Sequence, residues 1–385
     1  MNYDFDRVID RRGGDSLKWN IDADQIPVWY ADADVASPPA VIDALIARAQ
    51  HGVYGYAQEP AALRTIIVER MRRLYGWHIL PEDIMPVPGI IPGFNLASRA
   101  FGAPGAGVVV QAPTFYPISR DVALHDMIPQ HAPLRRSVDA LKVHFAYDPI
   151  AFEAAFDERT KIATLCHPHN PTGLVFGRDE LLHMAQTCVN RQVVICSDEI
   201  HCDIRLDGGE HIPIASLSET IAQQCVTLMS PSKAFNIPGL VVGYAIIQNP
   251  QLRERYVRAQ SGMIPHPSAF AYAATIAAYQ SGDAWLAQAN AYYAVNLDYA
   301  LAYIRQHIPQ LRCTIPAATY LLWIDARELQ LPGSVRDFFA RNGVALGDGT
   351  PFGGESEGFV RMTLACPRSV LAQALDAMRA AIASQ

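Results

Sequence analysis

Charged residues are scarce in this chain: Asp, Glu, Lys and Arg make up 18% of its 385 positions, against 50% hydrophobic residues, and the formal net charge is -7. That balance excludes a disordered chain and leaves a globular protein long enough for two domains and a sizeable core. There is no basic excess and no basic run, so nothing is available to neutralise phosphates, and a nucleic-acid binder is not expected. No apolar stretch approaches the length of a membrane span, and the N-terminal MNYDFDRVIDRRGG lacks the apolar segment of a secretion signal. A cytoplasmic protein is therefore expected. The seven cysteines, Cys166, Cys188, Cys196, Cys202, Cys225, Cys313 and Cys366, include no C-x-x-C pair, and several lie in apolar runs. They read as reduced core thiols, and a metal site is not expected.

What is present is organised around residues 225–239. The β-branched run Cys-Val-Thr-Leu-Met ends at Ser230-Pro231-Ser232, and Lys233 stands just past it. A lysine after a strand that reads as buried on both sides can be partly desolvated, which lowers its pKa and makes it a nucleophile towards a carbonyl. The alternative is an ordinary loop lysine.

Along the chain, V-W-Y-A-D-A-D-V-A-S-P-P at 28–39 suits an extended strap rather than a helix, and helical spacing starts after Pro39. Gly52-Val-Tyr54-Gly55-Tyr56 is a glycine-punctuated aromatic loop that also reads as a packing turn. Gly89 precedes a helix beginning near Ile91, and the free N–H groups of such a start suit a phosphate. Short β-rich runs then alternate with helical segments: 107–113, 161–168, 192–200, 225–230 and 243–248 read as strands, with a helix near 178–191. This alternation predicts a mostly parallel, doubly wound α/β sheet, whose ligands bind beyond the carboxyl ends of the strands, where His167, Asp198 and Lys233 should emerge. After about residue 280 a long helix near 283–308, a strand at 319–327, a glycine-rich loop at 347–354 and a terminal helix from Arg368 predict a smaller α+β domain.

Three fragments combine. His169-Asn170-Pro171-Thr172-Gly173 follows one strand, Ser197-Asp198-Glu199 ends the next, and Ser230-Pro231-Ser232-Lys233 ends a third. In that order on an α/β pattern they resemble the fold-type-I family of pyridoxal-phosphate enzymes, the aspartate aminotransferase superfamily. D-E-I-H, S-P-S-K-A-F-N, the strap, G-V-Y-G-Y, A-T-Y-L-L-W-I-D and F-V-R-M-T-L-A-C-P-R are similar to the MalY/PatB branch, cystathionine β-lyases and related cysteine-S-conjugate β-lyases, from about residue 10 to the C-terminus. There are departures. Where that branch usually has W-V-A-D-M-D-F, this chain has Tyr30, Ala33 and Val35; P-x-Y-Y-P-F is P-T-F-Y-P-I at 113–118; R-L-N is Arg361-Met362-Thr363.

The resemblance implies a fold-type-I architecture. A large domain at 46–282 would carry a mostly parallel seven-stranded sheet flanked by helices, with a small α+β domain at 283–385 and an N-terminal segment, 1–45, packing with the latter. It further implies pyridoxal 5'-phosphate as cofactor. Lys233 would bind the cofactor aldehyde and later remove the Cα proton, and Asp198 would pair with the pyridine nitrogen. Asn170 would donate to the phenolic oxygen; His201 would lie near that oxygen or be a core histidine. The backbone of Gly89, Ile90 and Ile91 with the hydroxyls of Ser230 and Ser232 would hold the phosphate. Phe115 would stack on the ring where the family usually has a tyrosine, so any proton role of a hydroxyl there is lost unless Tyr116 substitutes. Arg361 would grip the substrate carboxylate, with Tyr30 and Asn170 also lining the substrate side. Tyr56 would reach the neighbouring subunit's phosphate, which requires a homodimer. The branch implies elimination from cystathionine or another cysteine thioether. An aminotransferase on the same scaffold is the alternative, and a non-catalytic cofactor-binding regulatory protein a further one.

Overall fold

A computed structural model describes residues 3–139 and 141–385. Its main sheet has seven strands in the order Ile84–Val87, Gly243–Ile246, Cys225–Met229, Val194–Asp198, Thr160–Cys166, Gly107–Ala112 and Ile128–Pro133. All neighbours are parallel except Gly243–Ile246, which runs antiparallel to both of its own. The mostly parallel α/β expectation is met. The central strands Gly107–Ala112, Val194–Asp198 and Cys225–Met229 are buried at every position, because helices cover both faces of the sheet. That burial is why they read as continuous apolar runs.

The two edge strands escape the sequence reading. Ile84–Val87 contains Pro86, and Ile128–Pro133 contains Pro129 and Pro133. Proline cannot donate to a ladder, so it argues against a central strand but is tolerated where one side of the strand is unpaired.

A second body carries an antiparallel sheet in the order Arg312–Cys313, Leu321–Asp325, Phe359–Thr363, Gly347–Asp348. Its core joins Leu297, Ala300 and Ile304 of the helix Asp283–His307 to Leu371, Leu375 and Met378 of the terminal helix Arg368–Ala383. The first turns of Asp283–His307 pack the other way: Trp285, Leu286 and Ala289 belong to the core under the main sheet. The N-terminal stretch is shared similarly. Ile26–Pro27 pairs with Val344–Ala345 and Val28 enters the small core, whereas the helix Pro39–Gln50 packs on Ala269–Ser281 of the large body. Between these anchors, residues 29–37 cross from one body to the other over the carboxyl ends of the sheet strands. All seven cysteines are buried and unpaired.

Candidate active site

Parallel register sets the site. Cys166 lies opposite Asp198, and Asp198 opposite Leu228, so three strands end level and their loops leave on one side. A cavity of about 380 Å³ opens there, lined among others by Asn170, Asp198, His201, Ser230, Ser232 and Lys233. Tyr30 of the strap, Gly89 to Ile91, Phe115 and Arg361 complete its wall. Of the thirteen residues assigned to cofactor or substrate from the sequence, twelve thus meet in one cavity. The exception is Tyr56, which is fully exposed on the loop after Pro39–Gln50 and outside this cavity's lining.

The Lys233 Nζ donates a 2.5 Å hydrogen bond to the Ala31 carbonyl, which also accepts 3.0 Å from the Tyr320 hydroxyl. Burial pushes the amine down to about 8, helped by the nearby Arg361 charge and opposed by Asp32 and Asp198. A substantial neutral fraction near physiological pH follows. The strap holding Ala31 is itself pinned. Asn236, three residues past the lysine, donates to the Ala33 and Val35 carbonyls at 3.0 and 2.8 Å and accepts from the Ala33 N–H at 3.1 Å. The fully buried Lys18 reaches Asp34 at 2.5 Å, and Arg11 bridges Asp32 and Asp34 at 2.7 and 2.6 Å.

Asp198 is buried, and burial pushes its carboxyl up to about 7, against a 3.2 Å hydrogen bond from the Ile200 N–H and the Lys233 charge. Among the described residues no cation forms an ion pair with it. Arg361, buried in the strand Phe359–Thr363, donates from Nη1 to the Asn170 Oδ1 at 3.0 Å and lies 5.0 Å over the Phe352 ring. Its Nε has no partner, no carboxylate faces it as an ion pair among the described residues, and burial pushes the guanidinium down to about 10. A buried guanidinium without a counter-charge is costly unless an anion arrives. Because Asn170 offers its oxygen to Arg361, its NH₂ is left for the cavity side. His201 has its Nδ1 buried without a partner, and burial with the Lys233 and Arg361 charges pushes it down to about 3, so the ring is neutral.

Gly89 sits at φ 106°, a conformation that favours glycine, and starts the helix Ile90–Phe101. The first intrahelical bond comes only from the Gly93 N–H to the Gly89 carbonyl at 3.2 Å, leaving the Ile90 and Ile91 N–H groups as uncharged donors. The Ser230 and Ser232 hydroxyls lie 2.7 Å apart and both reach the Val242 carbonyl, at 2.6 and 3.2 Å.

One placement from the sequence is corrected. His167 does not line the cavity; it is buried on the other side of the strand end, its ring 4.7 Å from that of His211. Side chains alternate along a strand, and Cys166 takes the cavity side. Missed altogether were the Ala31 carbonyl, the Tyr320 hydroxyl and Asn236. Tyr116, noted only as a stand-in hydroxyl, lines the cavity beside Phe115, with ring centroids 5.5 Å apart.

The chain matches the aminotransferase class I and II family over residues 30–378 and belongs to it. Among relatives, cystathionine beta-lyase PatB of Bacillus subtilis (strain 168) is 32% identical over 387 residues, covering 98% of this chain and 99% of that protein. Among solved structures, OvoB superposes with a TM-score of 0.94 at 38% identity over 100% of both chains. The pyridoxal-phosphate-bound C-S lyase of Staphylococcus hominis gives 0.92 at 28% identity, covering 99% of this chain and 98% of its own.

Proposed function

We propose that the chain is a pyridoxal 5'-phosphate-dependent carbon–sulphur β-lyase that converts L-cystathionine or another cysteine thioether to a thiol, pyruvate and ammonia. The observation that carries it is one cavity holding a depressed lysine, a buried acid and a buried guanidinium with no counter-ion. The similarity to proteins named as cystathionine beta-lyase and C-S lyase supports it.

These residues fit the cofactor. Asp198 is a buried carboxyl in want of a cation, which a protonated ring nitrogen supplies, and the Ile90 and Ile91 N–H groups offer a seat for a phosphate. Bound there, pyridoxal phosphate would supply an aldehyde for amines and a conjugated ring that delocalises the electron pair left at Cα. Lys233 would hold the aldehyde, Asn170 and His201 would lie beside the phenolic oxygen, and Phe115 would present a flat face to the ring.

For the substrate, Arg361 offers its Nε and remaining N–H groups to the α-carboxylate as a bidentate fork. That grip orients the Cα–H bond. Displaced by the substrate nitrogen, Lys233 takes the Cα proton on its neutral Nζ, a role that contributes roughly 10²–10⁴-fold in rate. The Cβ–S electron pair leaves with sulphur, which takes a proton to become the thiol. Water hydrolyses the remaining three-carbon fragment to pyruvate and ammonia.

Purified enzyme given cysteine thioethers without any keto acid should release thiol and pyruvate in equal amounts. Turnover that requires a keto-acid acceptor and releases no thiol would make it an aminotransferase instead. We further propose a homodimer in which Tyr56 reaches the other subunit's phosphate. Val53, Tyr54 and Tyr56 stand exposed on one loop, an apolar group that a second copy would cover.

A further inference from the structure

A second cavity of about 390 Å³ lies against the first and shares Tyr30, Tyr116 and Arg361 with it. We propose that this outer cavity receives the sulphur-bearing half of the substrate and selects a flat, conjugated ring there. This rests on the lyase reading above. The guanidinium that would hold the α-carboxylate borders both cavities, so a substituent on Cβ that is too large for the inner one has the outer one within reach.

Four of its lining residues are aromatic: Trp29, Tyr30, Tyr116 and Phe352. Tyr30 stands edge-on to Trp29 with centroids 4.9 Å apart and planes at 68°, and Tyr116 edge-on to Phe352 at 5.9 Å and 86°. Two members of these pairs are fixed: the Trp29 Nε1 donates 3.0 Å to the Lys18 carbonyl, and the buried Phe352 packs 5.2 Å from Trp323. Besides Arg361, the lining holds two charged groups, Arg336 and Asp348. Arg336 pairs with Asp337 at 2.6 Å, and the Asp348 Oδ1 accepts from the Thr350 N–H at 3.0 Å. A flat ring can pack edge-to-face or offset against the aromatic members of this lining. Tyr30 also stands where the resembling branch usually has valine, which offers no ring face.

The test compares S-benzyl-L-cysteine with S-(cyclohexylmethyl)-L-cysteine. Both release a thiol from a CH₂ carbon and differ in planarity; phenylmethanethiol is the more acidic, an effect that cancels when the ratio of the two substrates is compared between the wild type and a variant. The wild-type enzyme should favour the benzyl compound by about tenfold in kcat/KM, the value of one to two good ring contacts. Tyr30→Val should bring the two substrates close to parity. Equal efficiency in the wild type, or an unchanged ratio in the variant, would overturn the subsite and leave the lyase reading intact. If Tyr30→Val does not fold, Tyr30→Leu supplies the same comparison. No pyruvate from either compound would overturn both.

Discussion

Lys233 is held by a main-chain atom: its Nζ donates to the Ala31 carbonyl at 2.5 Å, so the orientation of the amine depends on the strap and not only on its own loop. Donation through one N–H leaves the lone pair of a neutral amine free for a carbonyl or a Cα proton. Tyr320 donates to the same oxygen and Asn236 ties the strap at Ala33 and Val35.

A pH dependence of cofactor capture follows. Only the neutral amine attacks an aldehyde, and Lys233 titrates near 8. Uptake of pyridoxal phosphate by the apoprotein should rise with pH through a midpoint near 8. The Arg361 charge lowers that value, so Arg361→Gln should move the midpoint upward. Stopped-flow absorbance against pH checks both; a midpoint unchanged or lowered in the variant would contradict the assignment.

Asp198 should trade stability for cofactor retention. Burial raises its carboxyl from the ordinary carboxylate range to about 7 in the folded chain. A raised carboxylate pKa means that the folded state binds the extra proton, so this contribution favours the fold at low pH and is lost as pH rises from about 4 to about 7. Asp198→Asn apoprotein should therefore be more stable than wild type at pH 8, on the order of 2–4 kcal/mol, and nearly equal at pH 4. The same variant should hold the cofactor less tightly. Denaturant melts of both apoproteins at the two pH values, with equilibrium dialysis of the cofactor, read this out; a destabilised variant at pH 8 would refute it.

Lys18 is fully buried between Asp32 and Asp34. Removing its close partner by Asp34→Ala leaves a buried charge under-compensated and should cost roughly 3–5 kcal/mol. Lys18→Met with Asp34→Leu should cost less than Asp34→Ala alone, which urea unfolding of the two variants can check.

The chemistry-bearing side chains were legible before the fold was. Asn170, Asp198 and Lys233 declare themselves because residue types with distinct chemistry follow apolar runs in a fixed order. The strands Ile84–Val87 and Ile128–Pro133 were not, because their prolines obscure a strand that only its edge position permits. His167 was misplaced because strand alternation, set by register, turns it away from the cavity. The Ala31 oxygen could not be found at all: every residue has a carbonyl, and only the path of the strap brings this one to the lysine.

Complementation tests the two-subunit site. Mixing Lys233→Ala with Tyr56→Ala protomers after joint refolding creates heterodimers in which one site has both residues intact if Tyr56 acts across the interface. Random pairing should then restore roughly a quarter of wild-type activity. No recovery, with heterodimers shown by native mass spectrometry, would place Tyr56 outside the opposite site.

The attachment of the cofactor to Lys233 can be read directly. Apart from Lys233 the chain has only three lysines, Lys18, Lys142 and Lys161. Borohydride reduction of the loaded enzyme followed by peptide mass mapping should give one phosphopyridoxyl group, on the peptide containing Lys233, and none in Lys233→Ala. An adduct on Lys18, Lys142 or Lys161 of the wild type, or no adduct on any peptide, would contradict it.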